Sequence, residues 1–167
     1  MADATEIYRA KPTQDEIDEV LATRSRAAVA TLNADGSVHL SYVIFLWEDD
    51  RFYCETSSVT RKARNLADRP TASFLLDGRA STGQTVMLEA EGTGRVVVGA
   101  DAESINLRLR EKYIREAMDE VNEVWSGLDD VAMEITPLRW RSWSGGALAS
   151  ATNERISTSW EEIWRQD

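Results

Sequence analysis

The sequence predicts a mainly β protein with inserted helices, in which antiparallel strands form a small barrel. Short β-branched and apolar runs alternate with turn signals, of which Asp35-Gly36 is the strongest. Three such runs follow one another between residues 27 and 56, which is the spacing of a β-meander. Because the helical segments interrupt a series of strands, this pattern favours a barrel over a parallel doubly wound sheet.

The elements are predicted in chain order from capping signals and hydrophobic periodicity. Thr13-Gln14-Asp15-Glu16 has the pattern of a capping box and opens a helix over residues 13–23. Pro70 ends a short helix over residues 61–67, because proline cannot continue an α-helix. Apolar residues at helical spacing predict a longer helical insert over residues 101–126. The remaining predictions are strands over 27–32, 38–47, 51–56, 71–76, 86–98 and 131–146, which together form the barrel, and a tail helix over 159–165.

Two glycines lie inside the longest predicted strand. Gly92 and Gly94 predict a bulge or a sharp bend at this point, because glycine within a strand usually marks one. On the same strand Glu89 and Glu91 are expected to face solvent.

Length and composition exclude several classes of protein. A chain of 167 residues predicts a single domain over 1–167. One cysteine and one histidine predict no internal disulfide and no metal site. The N-terminal residues lack a basic region followed by an apolar one, so no signal peptide is expected and the predicted location is the cytoplasm. No apolar run is long enough to cross a membrane, so no membrane partner is expected.

The charge distribution predicts a site for one small anion. The chain carries a formal net charge of -10, yet residues 60–69 hold four basic residues and one acidic residue. A nucleic-acid partner would require a broad basic surface, which this sequence lacks.

Thr60 is placed to cap the helix that begins at Arg61, so free backbone amides and the positive helix end point to one place. Arg61 and Lys62 can then bind a phosphate, with hydroxyls supplied by Thr56, Ser57 and Ser58 immediately upstream. Solvated basic residues on a surface helix are the alternative.

The segment from Phe52 to Leu66, followed by Pro70, resembles the pyridoxamine 5′-phosphate oxidase-like superfamily of split β-barrels. The family signature begins with an aromatic-x-Thr pattern at the end of a strand, followed by Ser/Thr-Arg-Lys. A leucine comes next, and an Asp/Asn-x-Pro-like pattern ends the helix. Ala30-Thr31-Leu32 with the Asp35-Gly36 turn fits the same family, and Trp143-Ser144-Gly145-Gly146 is similar to its Trp-x-Gly-Gly. The resemblance covers residues 13–164.

This resemblance implies a six-stranded antiparallel Greek-key split barrel, a homodimer, and a cofactor at the dimer interface. The cofactor is FMN in one branch of the superfamily and the deazaflavin coenzyme F-420 in another, and the sequence does not separate them. By position, the phosphate would lie on Arg61 and Lys62, and the backbone of residues 41–44 would run along the ring. Trp143 would approach from the second subunit. The candidate cofactor-binding residues are Ser41, Tyr42, Val43, Ile44, Thr56, Ser57, Thr60, Arg61, Lys62 and Trp143.

Departures from the oxidase pattern argue against true pyridoxamine phosphate oxidase activity. Ser41 and Leu46 stand where the oxidase has basic residues, and Ala149-Ser150-Ala151 replaces its Arg-x-His substrate motif. Lys62-Ala63-Arg64-Asn65-Leu66 is more similar to the flavin and deazaflavin reductase branch. The predicted function is hydride transfer between FMN or F-420 and a small organic substrate.

No catalytic side chain is predicted, because a single histidine leaves little room for a Ser-His-Asp or Cys-His arrangement and the cofactor would supply the chemistry. His39 is expected at a strand rim and Cys54 in the core. Two alternatives remain: a non-catalytic flavin, deazaflavin or haem-related binding protein on the same fold, and an interaction module without a ligand.

Overall fold

The computed structural model describes residues 11–125 and 130–145. Within these ranges the chain forms four α-helices, one 3₁₀ turn and seven strands. The helices are α1 (Gln14–Ala22), α2 (Arg61–Asp68), α3 (Ala100–Ile114) and α4 (Met118–Trp125), with the 3₁₀ turn Arg115–Ala117 between the last two. The strands are β1 (Arg26–Leu32), β2 (Val38–Ile44), β3 (Leu46–Glu48), β4 (Arg51–Ser57), β5 (Thr71–Arg79), β6 (Thr85–Val97) and β7 (Asp130–Ser144). None of the described helices has the length and apolar character that crossing a membrane requires.

The strands form one sheet in the order β2-β1-β5-β6-β7-β4-β3. Strand β1 pairs antiparallel with both β2 and β5, and β4 pairs antiparallel with β3 and β7. The predicted fold class, a mainly antiparallel split β-barrel with helices, is confirmed. The predicted count of six strands is wrong, because the described residues form seven.

The additional strand arises at Phe45, which divides the predicted strand 38–47 into β2 and β3. The Phe45 side chain is fully buried, and its backbone amide donates to the Tyr113 hydroxyl at 3.4 Å. That hydroxyl donates in turn to the backbone oxygen of Ser25 at 2.7 Å. A side chain of α3 therefore takes the amide that would otherwise continue the strand.

The described residues divide into two compact units. The larger one comprises residues 22–76, 89–125 and 130–141. Its core contains three stacked phenylalanines: the rings of Phe45 and Phe52 lie 5.2 Å apart, and those of Phe52 and Phe74 lie 4.4 Å apart. All three rings are almost inaccessible to solvent, so burial and stacking both stabilise this part of the sheet.

The smaller unit comprises residues 11–21, 77–88 and 142–145. The predicted capping box is confirmed here, because the Thr13 amide donates to the Glu16 carboxylate at 2.9 Å and the Glu16 amide donates to Thr13 Oγ1 at 3.3 Å. The Glu16 carboxylate also accepts from the Thr82 hydroxyl, and these hydrogen bonds lower its pKa. That the whole chain is one domain stays a prediction.

The glycines of β6 permit close backbone approach. A Cβ atom at Gly92 would lie 2.1 Å from the backbone oxygen of Thr136, and one at Gly94 would lie 2.7 Å from the Leu66 side chain. The strand runs from Thr85 to Val97, and the predicted bulge or bend within it stays a prediction. These positions exclude a side chain because another element occupies the space.

The predicted helix 101–126 is interrupted by the 3₁₀ turn, which separates α3 from α4. Strand β7 extends from Asp130 to Ser144 through Pro137. The predicted tail helix 159–165 lies outside the described residues.

Glu89 and Glu91, predicted to face solvent, form ion pairs with Arg141 on β7 at 2.9 and 3.0 Å.

Candidate functional site

The start of α2 is organised by Thr60, as the sequence predicts. Thr60 has extended backbone (φ -72°, ψ 151°), and its hydroxyl oxygen accepts from the Ala63 amide at 3.4 Å. The same hydroxyl donates to the backbone oxygen of Ser57 at 2.9 Å. These bonds fix the residues that connect β4 to α2 and confirm the predicted cap.

The first turn of α2 carries the features of an anion site. The first intrahelical bond runs from the Arg64 amide to the Thr60 oxygen at 3.1 Å, so the amides of Arg61 and Lys62 have no partner within the helix. The Arg61 side chain is exposed and that of Lys62 is half-buried. Two free amides, the positive helix end and two cations thus lie within one turn, and this arrangement suits a phosphate.

Asn65 fixes the position of this helix on the sheet. Its side-chain amide donates to Thr31 Oγ1 at 3.1 Å and to Asn33 Oδ1 at 3.0 Å. Asn65 and Thr31 are both buried, so these bonds join α2 to β1 where water does not compete. The position of the helix start therefore depends on a residue one turn downstream of the predicted site.

Thr56 is the last buried residue before the connection to α2. Its hydroxyl lies 3.0 Å from the Thr60 hydroxyl. Because Thr60 uses its own proton for Ser57, Thr56 donates in this pair. Both threonines consequently brace the connection, and the contact of either with a cofactor stays a prediction.

Strand β2 presents the four residues predicted to lie along the ring. Val43 points into the core and is only 8% exposed, whereas Tyr42 is 77% exposed and Ile44 is half-buried. Val43 can therefore meet a ring only through its backbone, as the resemblance implies. The buried hydroxyl of Ser41 has no hydrogen-bond partner within the described part of the chain. An unsatisfied buried hydroxyl at this position fits a ligand that supplies a partner.

A cavity of about 260 Å³ brings several of these residues together. Ile44, Thr56 and Ser57, which are three of the predicted cofactor-binding residues, line it. Its other lining residues are Glu55, Trp125 and Asp130. The cavity therefore lies beside the connection that leads from β4 to the first turn of α2.

Arg110 of α3 organises the acidic side of this cavity. Its guanidinium donates to both oxygens of the Glu55 carboxylate, to Asp130 Oδ2 at 2.8 Å and to Asn122 Oδ1 at 3.0 Å. Burial raises the pKa of Glu55, and the nearby Arg110 charge opposes that rise. One arginine thus joins α3, α4, β4 and β7 around the cavity.

The sequence did not reveal Trp125, Arg110, Glu55 and Asp130 as residues of this site. Glu55 and Arg110 are 55 positions apart, and no local periodicity or motif relates residues at that separation. The predicted ligand contact Trp143 lies half-buried on β7, in the smaller unit, and its role stays a prediction. The described residues contain no group of three potential metal ligands.

Comparison with known proteins identifies the family of this chain. The model of the pyridoxamine 5′-phosphate oxidase family matches residues 13–144, and the chain belongs to that family. The resemblance inferred from the sequence is thereby confirmed. No curated protein sequence matches the chain significantly.

Solved structures with the same fold include proteins of several kinds. A conserved hypothetical protein of Mycobacterium tuberculosis is 25% identical with a TM-score of 0.68, over 82% of this chain and 88% of that one. The haem storage protein HutZ of Vibrio cholerae is 20% identical with a TM-score of 0.60, over 78% of this chain and 92% of its own. An F-420 reductase is 14% identical with a TM-score of 0.53, over 74% and 94% respectively.

Proposed function

We propose that this protein is an oxidoreductase that binds FMN or coenzyme F-420 and transfers a hydride between that cofactor and a small organic substrate. The observation that carries the proposal is the first turn of α2, where two amides without helical partners meet Arg61 and Lys62 beside a cavity. The family, and the F-420 reductase of the same fold, support a cofactor of this type.

The cofactor phosphate would be bound at the start of α2. Arg61 can donate two parallel hydrogen bonds to phosphate oxygens, and Lys62 adds a second positive charge. The helix end contributes a further favourable field. Ser57, the first residue after the buried Thr56, lines the cavity and offers a hydroxyl to the same ligand.

The ring would lie along β2. Val43 can contribute only backbone groups, Ser41 brings a hydroxyl without a partner among the described residues, and Ile44 lines the cavity. When bound, a flavin or deazaflavin ring supplies the hydride chemistry. The protein binds and orients the ring and excludes water, so no catalytic side chain is required.

The proposed active form is a homodimer with the cofactor at its interface. Val38, Leu40 and Tyr42 point to the same side of β2 and are 58%, 67% and 77% exposed. Strand β2 is the last strand at one end of the sheet order, and it also carries the residues assigned to the ring. A second copy of the chain on this face would cover these apolar side chains and enclose the ring.

The phosphate assignment is tested by titrating FMN and F-420 into the wild-type protein and the double variant Arg61→Ala/Lys62→Ala. Each charged contact contributes about 1.5–3 kcal/mol, so the variant should bind at least about 100-fold more weakly. Arg24→Ala/Arg69→Ala removes the same charge elsewhere and should bind nearly as tightly as wild type. Equal affinity of the two double variants would refute the assignment.

A non-catalytic haem-binding protein is the second candidate, because the haem storage protein HutZ shares the fold. His39 is the one histidine in the sequence and lies half-buried on β2. Haem binding would give an intense visible absorption band that His39→Ala shifts or removes, and reduction assays with FMN or F-420 would show no turnover. Turnover with either cofactor would exclude this candidate.

A further inference from the structure

Trp125 occupies an unusual position for a large aromatic side chain. It is the last residue of α4, a helix in which no residue is fully buried. The preceding residue, Val124, is 75% exposed, so α4 does not pack as a core helix. Trp125 is nevertheless half-buried, and it lines the cavity beside β4. Core packing alone does not account for an indole at this place.

The indole is held in place from one side. The guanidinium carbon of Arg110 lies 4.9 Å from the centroid of the Trp125 ring, which is the geometry of a cation–π contact. Glu55 and Asp130 hold that guanidinium in turn, and the arginine side chain is only 14% exposed. Because Arg110 also donates to Asn122 one turn earlier on α4, the helix and its terminal indole are fixed together.

The other cavity residues show what this indole can meet. Ile44 lies at the end of the strand assigned to the ring, and Thr56 and Ser57 lead to the assigned phosphate site. Arg110 occupies one face of the indole, so a ligand in the cavity meets the opposite face or the ring edge. A planar, electron-poor aromatic ring is the ligand that stacks most favourably on an indole.

We infer that Trp125 contacts the ring system of the bound cofactor and that Arg110 is the residue that positions its indole. This inference rests on the proposed function and extends it, since neither residue belongs to the phosphate site. Trp125 then forms an aromatic wall of the ring site, supplied by the helical insert and not by the barrel strands.

The test compares cofactors with their phosphate-free chromophores. FMN, F-420, riboflavin and the deazaflavin chromophore without its phosphate are titrated into wild type, Trp125→Ala and Trp125→Phe. Loss of one stacking contact should weaken every ligand that wild type binds by about tenfold in Trp125→Ala. Trp125→Phe keeps an aromatic face and should stay within about threefold of wild type. The phosphate-site variant Arg61→Ala/Lys62→Ala should weaken only the phosphorylated ligands.

Arg110 is tested by a variant that keeps its charge. Arg110→Lys preserves a cation opposite Glu55 and Asp130 but lacks the planar fork that holds the indole. The Trp125 fluorescence of the Arg110→Lys protein is obtained as the difference between Arg110→Lys and Arg110→Lys/Trp125→Phe. We expect the neutral quencher acrylamide to quench it more strongly than it quenches the Trp125 fluorescence of the wild-type protein. The Trp125 fluorescence of the wild-type protein, obtained in the same way from wild type and Trp125→Phe, should be quenched less. Bound cofactor should reduce this quenching further. A purely structural arginine would change the unfolding temperature without changing this accessibility.

The outcomes separate the two levels of the proposal. If wild type binds a cofactor and Trp125→Ala binds it equally well, the inference is wrong while the proposed function stands. If wild type binds none of the four ligands, the proposed function is wrong and the ring contact is refuted with it. Weaker binding in both Trp125→Ala and Trp125→Phe by the same large factor would indicate an indirect effect and would also refute the contact.

Discussion

Asn65 shows how one buried amide sets the geometry of a site that it does not enter. Its two hydrogen bonds to β1 and the following turn hold α2 at a fixed position on the sheet. The amides and cations at the start of that helix are positioned accordingly. Asn65 belongs to the family motif, but the sequence did not predict a role for its side chain. Its partners Thr31 and Asn33 lie more than thirty residues away in the chain.

Replacement of Asn65 by alanine should therefore cost stability as well as binding. The change leaves the Thr31 hydroxyl buried without its donor, and the free energy of unfolding should fall by about 2 kcal/mol. Asn33→Ala removes the second bond and the bond from Asn33 Nδ2 to Ser37 Oγ at 2.9 Å, both next to an exposed turn, and should cost about 0.5–1 kcal/mol. Urea unfolding of both variants measures the difference. An Asn65→Ala protein as stable as Asn33→Ala would show that the buried bond contributes nothing.

At the scale of the elements, the sequence predicted what depends on local signals. The capping box at Thr13, the cap at Thr60 and the stop at Pro70 act through neighbouring backbone atoms, so α1 and α2 were predicted within a residue or two. The break at Phe45 was missed because its cause is a hydroxyl from Tyr113, 68 residues away. The cavity residues contributed by α3 and α4 were missed for the same reason, since only the tertiary fold brings them to β4.

The glycines of β6 show a third case, in which the sequence drew attention to the residue type and the structure adds the close approach of another element. Gly92→Ala should be strongly destabilising, because the new Cβ would lie 2.1 Å from a backbone oxygen that cannot rotate away. We expect a loss of about 2–3 kcal/mol in the free energy of unfolding. At Gly145 the nearest atom to a new Cβ would be 3.6 Å away, so Gly145→Ala should change it by less than about 0.5 kcal/mol. Thermal unfolding measures the stabilities of the two variants. If Gly92→Ala were as stable as Gly145→Ala, close approach at Gly92 would not be the reason for this glycine.

At the scale of the whole molecule, the exposed apolar face of β2 continues across neighbouring strands. In the strand register, Tyr42 lies opposite Ala28, and Ala28 lies opposite Leu75, which is 46% exposed. The side chains of Tyr42, Ala28 and Leu75 therefore form a partly exposed apolar row across three strands. Such a row is unfavourable in water. This face is where the proposed second subunit would bind.

The dimer is tested by placing a charge on that face. Leu40→Asp/Tyr42→Asp should shift the protein to a monomer by light scattering, because burying two carboxylates opposite an apolar partner is unfavourable. The same variant should lose cofactor affinity by more than tenfold if the interface encloses the ring. Val98→Asp alters a residue that is 66% exposed but lies outside β2, and should leave both properties unchanged. A variant that remains the size of wild type would place the partner elsewhere.

Cys54 has a practical consequence for labelling experiments on this protein. It is the one cysteine of the chain, it is fully buried, and burial raises the pKa of its thiol to about 12 although the nearby Lys62 charge opposes the rise. A thiol that stays protonated and inaccessible does not react with alkylating dyes at neutral pH. Val59→Cys, at a position 70% exposed just before the start of α2, would then be the single labelled residue in an otherwise native chain. A fluorophore can thus be attached beside the helix start without first removing the native sulfur.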